Sequence, residues 1–181
     1  MKKKWLKLFV AVGFLVTLNV SAYLALTSEA GKDFLARLNE LVYVGAFLLT
    51  LIANSTVIVP LPYNAIILAM IQAAPIPWLI ALLAAIGSAI GEMTGYLVGK
   101  AGGEVIKDTK FTRWLYTQMK NKWRAPIAIF LVALPPNPAF GLVGIISGAV
   151  NLRIVIFTTA VFTGRLFRFL TFALVANTWL S

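Results

Sequence analysis

The chain has 181 residues, of which 60% are hydrophobic and 12% are charged, and its mean hydropathy is +0.89. Soluble domains contain about 45–50% apolar and about 25% charged residues, so this composition indicates an integral membrane protein with one compact domain. The sequence has no cysteine and no histidine, which excludes disulfides, Cys- or His-ligated metal sites and catalysis by a histidine base. We therefore expect neither a metal nor another cofactor, and we do not expect an enzyme.

The net charge of +10 is unevenly distributed along the chain. Four lysines lie within residues 1–7, segment 100–124 carries seven basic and two acidic residues, and segment 28–40 carries two basic and three acidic residues. Basic loops of membrane proteins remain on the cytoplasmic side, so 1–7 and 100–124 are predicted to lie inside the cell membrane and 28–40 outside. The basic surface is expected to contact anionic lipid headgroups, and not nucleic acid.

Residues 8–26 form an apolar run after the lysine-rich start. The run has the length of a spanning helix of about 20 residues and exceeds the roughly 7–15 residues of a signal-peptide core. A signal peptide is the alternative, because residues 28–30 include the small residues of a cleavage site. We predict an uncleaved first helix, which forms a first unit at 1–40 together with an outer linker.

The apolar stretch 41–73 is too long for one straight span and too short for two spans with a loop. Pro60 and Pro62 lie near its middle, where proline removes backbone donors and disrupts a helix. This pattern predicts a re-entrant hairpin, which enters the membrane and returns to the same side while it is shielded from lipid.

Residues 78–99 predict a second spanning helix, which is followed by a basic segment. In this segment four apolar residues recur at every fourth position: Phe111, Leu115, Met119 and Trp123. Their spacing predicts a basic amphipathic helix on the inner membrane surface within 104–124. A solvated basic loop is the alternative.

The apolar stretch 126–149 is interrupted by Pro135, Pro136, Asn137 and Pro138. Its two arms are too short to cross a hydrocarbon core about 30 Å thick, so we predict a second re-entrant hairpin. Residues 152–177 predict the third spanning helix, which places the C-terminus outside.

Together these elements predict an all-α membrane protein with three spanning helices, two proline-broken re-entrant hairpins and one interfacial helix. A transport domain would cover 41–181, with a first half at 41–99, the inner amphipathic segment at 100–124 and a second half at 125–181. Each half contains a hairpin followed by a spanning helix, and the two halves have opposite orientations. Many secondary transporters use such an inverted repeat to form a substrate site near the bilayer midplane.

Glu92 lies deep in the second spanning helix, with Ser88 and Tyr96 one turn away on its face. A charge at that depth costs roughly 2.5–3.5 kcal/mol, so we expect Glu92 to pair with an arginine, or to carry a proton or gate a ligand. An adjacent stripe consists of four glycines: Gly87, Gly91, Gly95 and Gly99. This stripe predicts close helix packing, either within the chain or between the copies of a homo-oligomer.

Arg165 and Arg168 lie about one helical turn apart in the last spanning helix, far from its ends. Arginine presents a planar set of donors that fits carboxylate and phosphate groups. Glu92 is the only acid in the predicted spans, so one positive charge would remain uncompensated near the midplane, and a bound anion would compensate it. A tilted helix or a thinned bilayer that brings one arginine to water is the alternative.

Polar residues flank both proline breaks: Asn54, Ser55, Thr56 and Asn64 at the first, and Asn137 at the second. Helix N-termini at hairpin tips favour anions, and polar side chains there could equally satisfy the broken backbone. The candidate substrate contacts are therefore Ser88, Glu92, Tyr96, Arg165 and Arg168, joined by Asn64 and Asn137. The five prolines of the two breaks are candidate gating residues.

Four motifs occur in a fixed order: the Pro60-Leu61-Pro62 break, GSAIGEMTGYLVGKAGG at 87–103, PPNPAFGLVGIISGA at 135–149 and GRLFR at 164–168. With these motifs, residues 41–176 resemble the DedA family of membrane proteins, which share the VTT or SNARE-associated domain. The resemblance implies two re-entrant hairpins and a role in lipid transport. Bacterial members flip undecaprenyl phosphate or phosphatidylethanolamine, and eukaryotic relatives scramble phospholipids. It assigns Glu92 to the family's acid and Arg165 to a basic position of the last helix.

The chain departs from the family pattern in both hairpins. Tyr63 and Asn64 follow the first break, where many members have a glycine and an acid. In the second break Asn137 and Pro138 occupy the region of a common arginine, and Gly141 stands where a subgroup has an acid.

The functional expectation is a flippase for undecaprenyl phosphate, another polyisoprenyl phosphate or an anionic phospholipid in the cell membrane, with protons as the coupling ion. The alternatives are a phospholipid scramblase, a small-solute or ion channel or exporter, and a membrane scaffold that does not transport.

Overall fold

The computed structural model describes residues 41–55, 63–102, 109–137 and 140–179, with the backbone alone at 177–179, and isolated residues between 13 and 33. From Leu41 onward the described residues form helices and no strand. The helices are α1 (Leu41–Ser55), α2 (Tyr63–Ala73), α3 (Pro77–Gly91), α4 (Met93–Lys100), α5 (Lys110–Met119), α6 (Arg124–Ala133), α7 (Phe140–Ala149) and α8 (Ile154–Trp179). The predicted all-α class is confirmed, while most of the predicted first span at 8–26 lies outside the described residues.

Two stretches of the described chain are long and apolar enough to cross a membrane. The first, Pro77–Lys100, consists of α3 and α4, which continue each other because the intervening Glu92 has helical φ and ψ angles of −65° and −16°. Pro77 suits the start of this helix, since its φ is fixed near the helical value and its missing N–H would have no partner there. The second stretch is Ile154–Ala176 of α8. Both coincide closely with spans predicted from the sequence.

The two proline-containing stretches each hold a pair of short apolar helices, α1 with α2 and α6 with α7. With 15 residues, α1 is the longest of the four, and its length of about 22 Å falls short of a hydrocarbon core of about 30 Å. In the second stretch α6 ends at Ala133, and Pro135 to Asn137 are not helical. The remaining prolines of the breaks, Pro60, Pro62 and Pro138, lie outside the described residues.

A residue in the left-handed conformation turns the chain from α7 into α8. Asn151 has a φ of +53°, a conformation that asparagine adopts more readily than most residues. The Leu152 amide donates to the Ser147 carbonyl, and the Asn151 amide donates to the Gly148 carbonyl. These are the hydrogen bonds of a Schellman C-cap, which ends α7 and sets the start of α8.

Glycines bring the α3–α4 helix close to two different neighbours. A Cβ atom at Gly87 or Gly91 would collide with the backbone of α1, and one at Gly99 would collide with the backbone of α7. Gly95 is less crowded, because its Cβ would lie 3.4 Å from the nearest atom of α7. The glycine stripe therefore packs against helices of the same chain, first α1 and then α7.

The hydrophobic core consists of two clusters. One contains residues of α1, α2, α3 and the C-terminal part of α8, including Ile80 and Phe169. The other contains residues of the end of α3, of α4 to α7 and of the N-terminal part of α8, including Ile129 and Phe157. The middle of α8, which carries both arginines, lies between the two clusters in the chain.

The short helices pack in a related way in the two halves. The first of each pair lies on the long helix of its own half, α1 on α3 and α6 on α8. The second of each pair contacts the long helix of the other half, α2 on α8 and α7 on α4. Both pairs of short helices therefore join the two halves.

The basic segment between α4 and α6 contains a helix that is shorter than predicted and is docked on the protein. It begins after Thr109, whose side chain caps the helix, and ends at Met119. Leu115 and Met119 are buried in the second core cluster with α6 and α7. Phe111 and Trp123, which the spacing placed on the same face, are exposed. The amphipathic pattern thus corresponds to protein packing at its two central positions.

Candidate functional site

The two arginines of α8 and the acid between α3 and α4 meet inside the protein. Arg165 is 2% exposed, Arg168 is 3% exposed and Glu92 is 4% exposed. Nη2 of Arg165 donates to Oε1 of Glu92 at 3.0 Å, in a buried salt bridge between the two long helices. Of the roles left open for Glu92, the pairing with an arginine is present in the structure. Neither arginine reaches the protein surface, so both depend on buried partners.

A tyrosine that no sequence pattern indicated lies at the centre of the site. Tyr63 is the first residue of α2. Its hydroxyl oxygen accepts hydrogen bonds from Nη1 of Arg165 and from Nη2 of Arg168, both at 2.9 Å. One neutral oxygen atom therefore bridges the two guanidinium groups. The sequence marked this residue only indirectly, by its position directly after the first proline break and by its departure there from the family pattern.

The second proline stretch reaches the same site through its backbone. Nη1 of Arg168 donates to the Pro135 carbonyl at 3.4 Å. The guanidinium carbon of Arg168 lies 4.9 Å from the ring centre of Phe169, and that of Arg165 lies 4.5 Å from the ring centre of Phe140 at the start of α7. Cations within about 6 Å of an aromatic face are attracted by the ring quadrupole. Residues from both halves therefore surround the arginine pair.

The described residues of the site do not satisfy all its positive charge and all its donors. Two guanidinium groups face one carboxylate, which leaves a net charge of +1 in a buried position. The Nε atoms of both arginines, and the Oγ atom of Ser88 one turn before Glu92, have no hydrogen-bond partner among the described residues. Unpaired buried polar and charged groups cost on the order of a few kcal/mol each. A ligand with negative charge and several acceptor oxygens would remove both deficits.

Three other residues predicted to contact the substrate, Asn64, Tyr96 and Asn137, differ in their hydrogen bonds. The Oδ1 atom of Asn64 is buried without a partner among the described residues. The Tyr96 hydroxyl donates to the Leu152 carbonyl at 2.6 Å, so it serves the packing of the second core cluster. Asn137 lies in the non-helical stretch before α7, where its carbonyl accepts from the first amide of that helix.

The polar residues at the end of α1 bond to backbone groups. The Asn54 amide donates to the Thr50 carbonyl at 2.6 Å, and the Ser55 hydroxyl donates to the Leu51 carbonyl at 2.7 Å. The Ser55 carbonyl accepts from the Thr94 hydroxyl of α4 at 2.9 Å. These bonds correspond to the backbone role that was the alternative to ligand binding. Among the described residues, no group of three or more acidic side chains is placed to hold a metal ion.

The fold and the site together define an all-helical membrane protein with a buried cationic site between its two halves. The family model of the VTT domain matches residues 59–178, a range that includes Tyr63, Glu92, Arg165 and Arg168. The chain therefore belongs to the VTT domain family, the domain of the DedA membrane proteins, which confirms the resemblance drawn from the sequence motifs. No curated protein matches the chain, and no solved structure matches it.

Proposed function

We propose that the protein translocates a lipid with a phosphate headgroup across the cell membrane. The favoured substrate is undecaprenyl phosphate or another polyisoprenyl phosphate, and an anionic phospholipid is the second choice. The observation that carries the proposal is the buried pair of Arg165 and Arg168, beside which the described residues place one carboxylate, that of Glu92, bonded to Arg165. Membership of the DedA family agrees with a role in membrane transport.

A phosphate headgroup supplies what the arginine pair lacks. It brings negative charge to a site with a net charge of +1, and its oxygens accept the parallel hydrogen bonds that arginine donates in bidentate contacts. The Nε atoms of Arg165 and Arg168, which have no partner among the described residues, are available for these contacts. The Ser88 hydroxyl, on the same helix face as Glu92, would donate a further bond.

Glu92 competes with the headgroup for Arg165. While the carboxylate is ionised, it occupies Nη2 of Arg165 and neutralises one positive charge. When it takes up a proton, that charge becomes available to the headgroup, and the headgroup is held more strongly. Headgroup binding and proton binding at Glu92 are therefore linked, which would couple lipid transport to protons.

The packing of the short helices supports an inverted repeat. We assign α1 and α2 to a re-entrant hairpin from the outside and α6 and α7 to one from the cytoplasmic side, because the two pairs contact the long helices in a related way. The arginines would then lie near the midplane, where such transporters bind their substrates. The proline connections would gate the site alternately from each side. In this topology the N-terminus is cytoplasmic and the C-terminus is outside.

The lipid tails need no polar path, because they can remain in the bilayer while the headgroup crosses. The barrier to lipid movement is the transfer of a charged group through hydrocarbon, where ionised groups are costly. A buried arginine pair lowers this barrier by replacing the water of the headgroup with fixed donors.

Headgroup translocation in proteoliposomes tests the proposal. An undecaprenyl phosphate probe is compared with a fluorescent phosphatidylethanolamine, with and without a pH gradient. We expect selective, gradient-dependent movement of the polyprenyl phosphate. Arg168→Ala should slow it about tenfold or more, since charge-assisted hydrogen bonds are lost. The matched control is Arg153→Ala, because Arg153 is an exposed arginine just before α8.

Each other result points to a different function. Movement of both lipids without a gradient would identify a scramblase and refute the selectivity. Ion or solute flux without lipid movement would identify a channel or exporter. If no flux occurs and charge reversal in α5 abolishes the recruitment of a partner, the protein is a scaffold and the proposal fails.

A further inference from the structure

Tyr63 occupies the position between the two arginines where an oxygen of a phosphate would bind. Its hydroxyl takes one N–H from Arg165 and one from Arg168, each at 2.9 Å. A hydroxyl oxygen has two lone pairs, so the arginines use both of them. The hydroxyl oxygen thus lies where one oxygen of a bound anion would bridge the two guanidinium groups, but it carries no negative charge.

The contact is weaker than the one that a phosphate would make. Arginine binds phosphate through parallel hydrogen bonds between ionised groups, whereas the neutral hydroxyl accepts a single bond from each arginine. The hydroxyl also leaves the net charge of +1 uncompensated, while a phosphate would compensate it. A phosphate oxygen would therefore displace the hydroxyl of Tyr63.

The position of Tyr63 makes this contact a link between two helices. Tyr63 begins α2, and both arginines belong to α8. The rest of α2 packs on α3 and α8 through the first core cluster, and these contacts do not involve the hydroxyl. Its displacement would loosen the N-terminal end of α2, next to the first proline connection, while the helix stays in place.

We propose that Tyr63 is a tethered competitor of the phosphate headgroup. In the empty site its hydroxyl holds the arginine pair and ties the start of α2 to α8. In the occupied site the phosphate takes the place of the hydroxyl and frees the start of α2. Release of the Tyr63 hydroxyl and binding of phosphate are thermodynamically linked. A change that weakens the bonds between Tyr63 and the arginines therefore strengthens phosphate binding. This inference rests on the proposed function of the arginine pair and adds a gate to it.

Two substitutions of Tyr63 shift this competition in opposite directions. Tyr63→Phe keeps the ring and removes the oxygen that phosphate must displace, so we expect phosphate to bind about tenfold more tightly. Tyr63→Glu replaces a neutral competitor with an anionic one that also compensates the charge. We therefore expect phosphate to bind this variant at least about tenfold more weakly than the wild type. Tyr43→Phe is the matched control, since the Tyr43 hydroxyl also accepts a hydrogen bond, from the Ile76 amide.

The test is a calorimetric titration of the purified full chain in detergent with inorganic phosphate, repeated with a short-chain prenyl phosphate. We expect the affinity to be highest in Tyr63→Phe, intermediate in the wild type and Tyr43→Phe, and lowest in Tyr63→Glu. Phosphate should also raise the unfolding temperature of Tyr63→Phe more than that of the wild type, because a ligand that binds the folded state more tightly stabilises it more. If Tyr63→Phe only disrupted packing, phosphate would not raise its unfolding temperature more than that of the wild type.

The outcomes separate this inference from the function on which it rests. Weaker binding in both Tyr63 variants, or equal binding in Tyr63→Phe and the wild type, would overturn the competition while the arginine site stands. A preference for inorganic phosphate over the prenyl phosphate, with the same order of variants, would support the competition and count against a lipid substrate. If neither the wild type nor Tyr63→Phe binds either phosphate compound, the proposed function fails and the inference fails with it.

Discussion

The two halves of the protein contribute opposite chemistry to the site. The first half supplies side-chain acceptors, the Tyr63 hydroxyl and the Glu92 carboxylate, and the second half supplies side-chain donors, Arg165 and Arg168. Either half alone would hold charged residues without their partners in an apolar environment, which is costly. Although both halves have the same order of short and long helices, the site is formed only when they pack together.

The contacts of the arginines with the short helices and with the second proline break differ in kind. The start of α2 reaches the arginines by a side chain, that of Tyr63, and the second proline break reaches them by a backbone oxygen, the Pro135 carbonyl. A side chain can turn aside through its own rotamers, whereas a carbonyl moves only with its backbone. The start of α2 is therefore the place at which a ligand most easily displaces a contact.

The largest effect is expected from the loss of Arg165, whose hydrogen bonds to described side chains are to Tyr63 and Glu92 of the first half. Arg165→Ala leaves the Glu92 carboxylate buried without the partner that the structure gives it, so we expect the free energy of unfolding to fall by about 3–5 kcal/mol. Arg168→Ala removes the surplus charge together with two bonds to neutral oxygens, so its cost should be smaller, about 1–2 kcal/mol. Both substitutions should slow lipid transport about tenfold or more.

Chemical unfolding in detergent compares these two variants, with Arg153→Ala as the control for an exposed arginine. Equal destabilisation by the two substitutions, or a larger loss in Arg168→Ala, would contradict the assignment of the surplus charge to Arg168.

An intermediate effect is expected from alanine substitutions of the glycines. Such substitutions allow packing within the first half to be compared with packing between the halves. Gly87 faces α1 and Gly99 faces α7, and a Cβ at either position would collide with backbone. Alanine at each should cost about 1–3 kcal/mol. Only Gly99→Ala should also slow transport beyond the loss of folded protein, because it separates α4 from the helix that carries Phe140.

Thermal unfolding and transport measured on the same preparations check this prediction. Gly95→Ala is the control, since its Cβ would lie at an ordinary 3.4 Å from α7. A Gly99→Ala variant as stable and as active as Gly95→Ala would show that the close packing of α4 on α7 is not required.

The smallest effect is expected from Tyr96→Phe, which removes one hydrogen bond between the halves. The Leu152 carbonyl loses the 2.6 Å bond from the Tyr96 hydroxyl, so the free energy of unfolding should fall by about 1 kcal/mol. Phosphate affinity should not change, because this hydroxyl is bonded away from the arginines. A calorimetric titration that finds weaker phosphate binding in this variant would return Tyr96 to the ligand contacts.

The long helices and the charged residues of the site could be predicted because each leaves a pattern in the sequence. Uninterrupted apolar length predicts Pro77–Lys100 and most of α8, and the clustered prolines of the second break predict that α6 ends before Pro135. Lone charges in apolar runs identified Glu92, Arg165 and Arg168, since such charges need partners.

The remaining features could not be predicted because they depend on which helices meet. A tyrosine in an apolar stretch is ordinary, so nothing marks Tyr63 as the bridge between the arginines, and a backbone acceptor such as the Pro135 carbonyl leaves no trace in the sequence. The spacing of Leu115 and Met119 fits a membrane surface as well as a protein core. The glycine stripe predicts close packing without naming its partners, α1 and α7.

The central claim is that the arginine pair binds the headgroup and that Glu92 releases it. Its most direct test uses Glu92→Gln and measures the rate of undecaprenyl phosphate translocation as the content of this lipid in the vesicles increases. The amide keeps the shape of the side chain and removes the charge that competes for Arg165. We predict that the half-saturating lipid content falls several-fold, that the maximal rate falls about tenfold, and that the effect of a pH gradient disappears. An unchanged half-saturation with an unchanged maximal rate and gradient response would contradict the account.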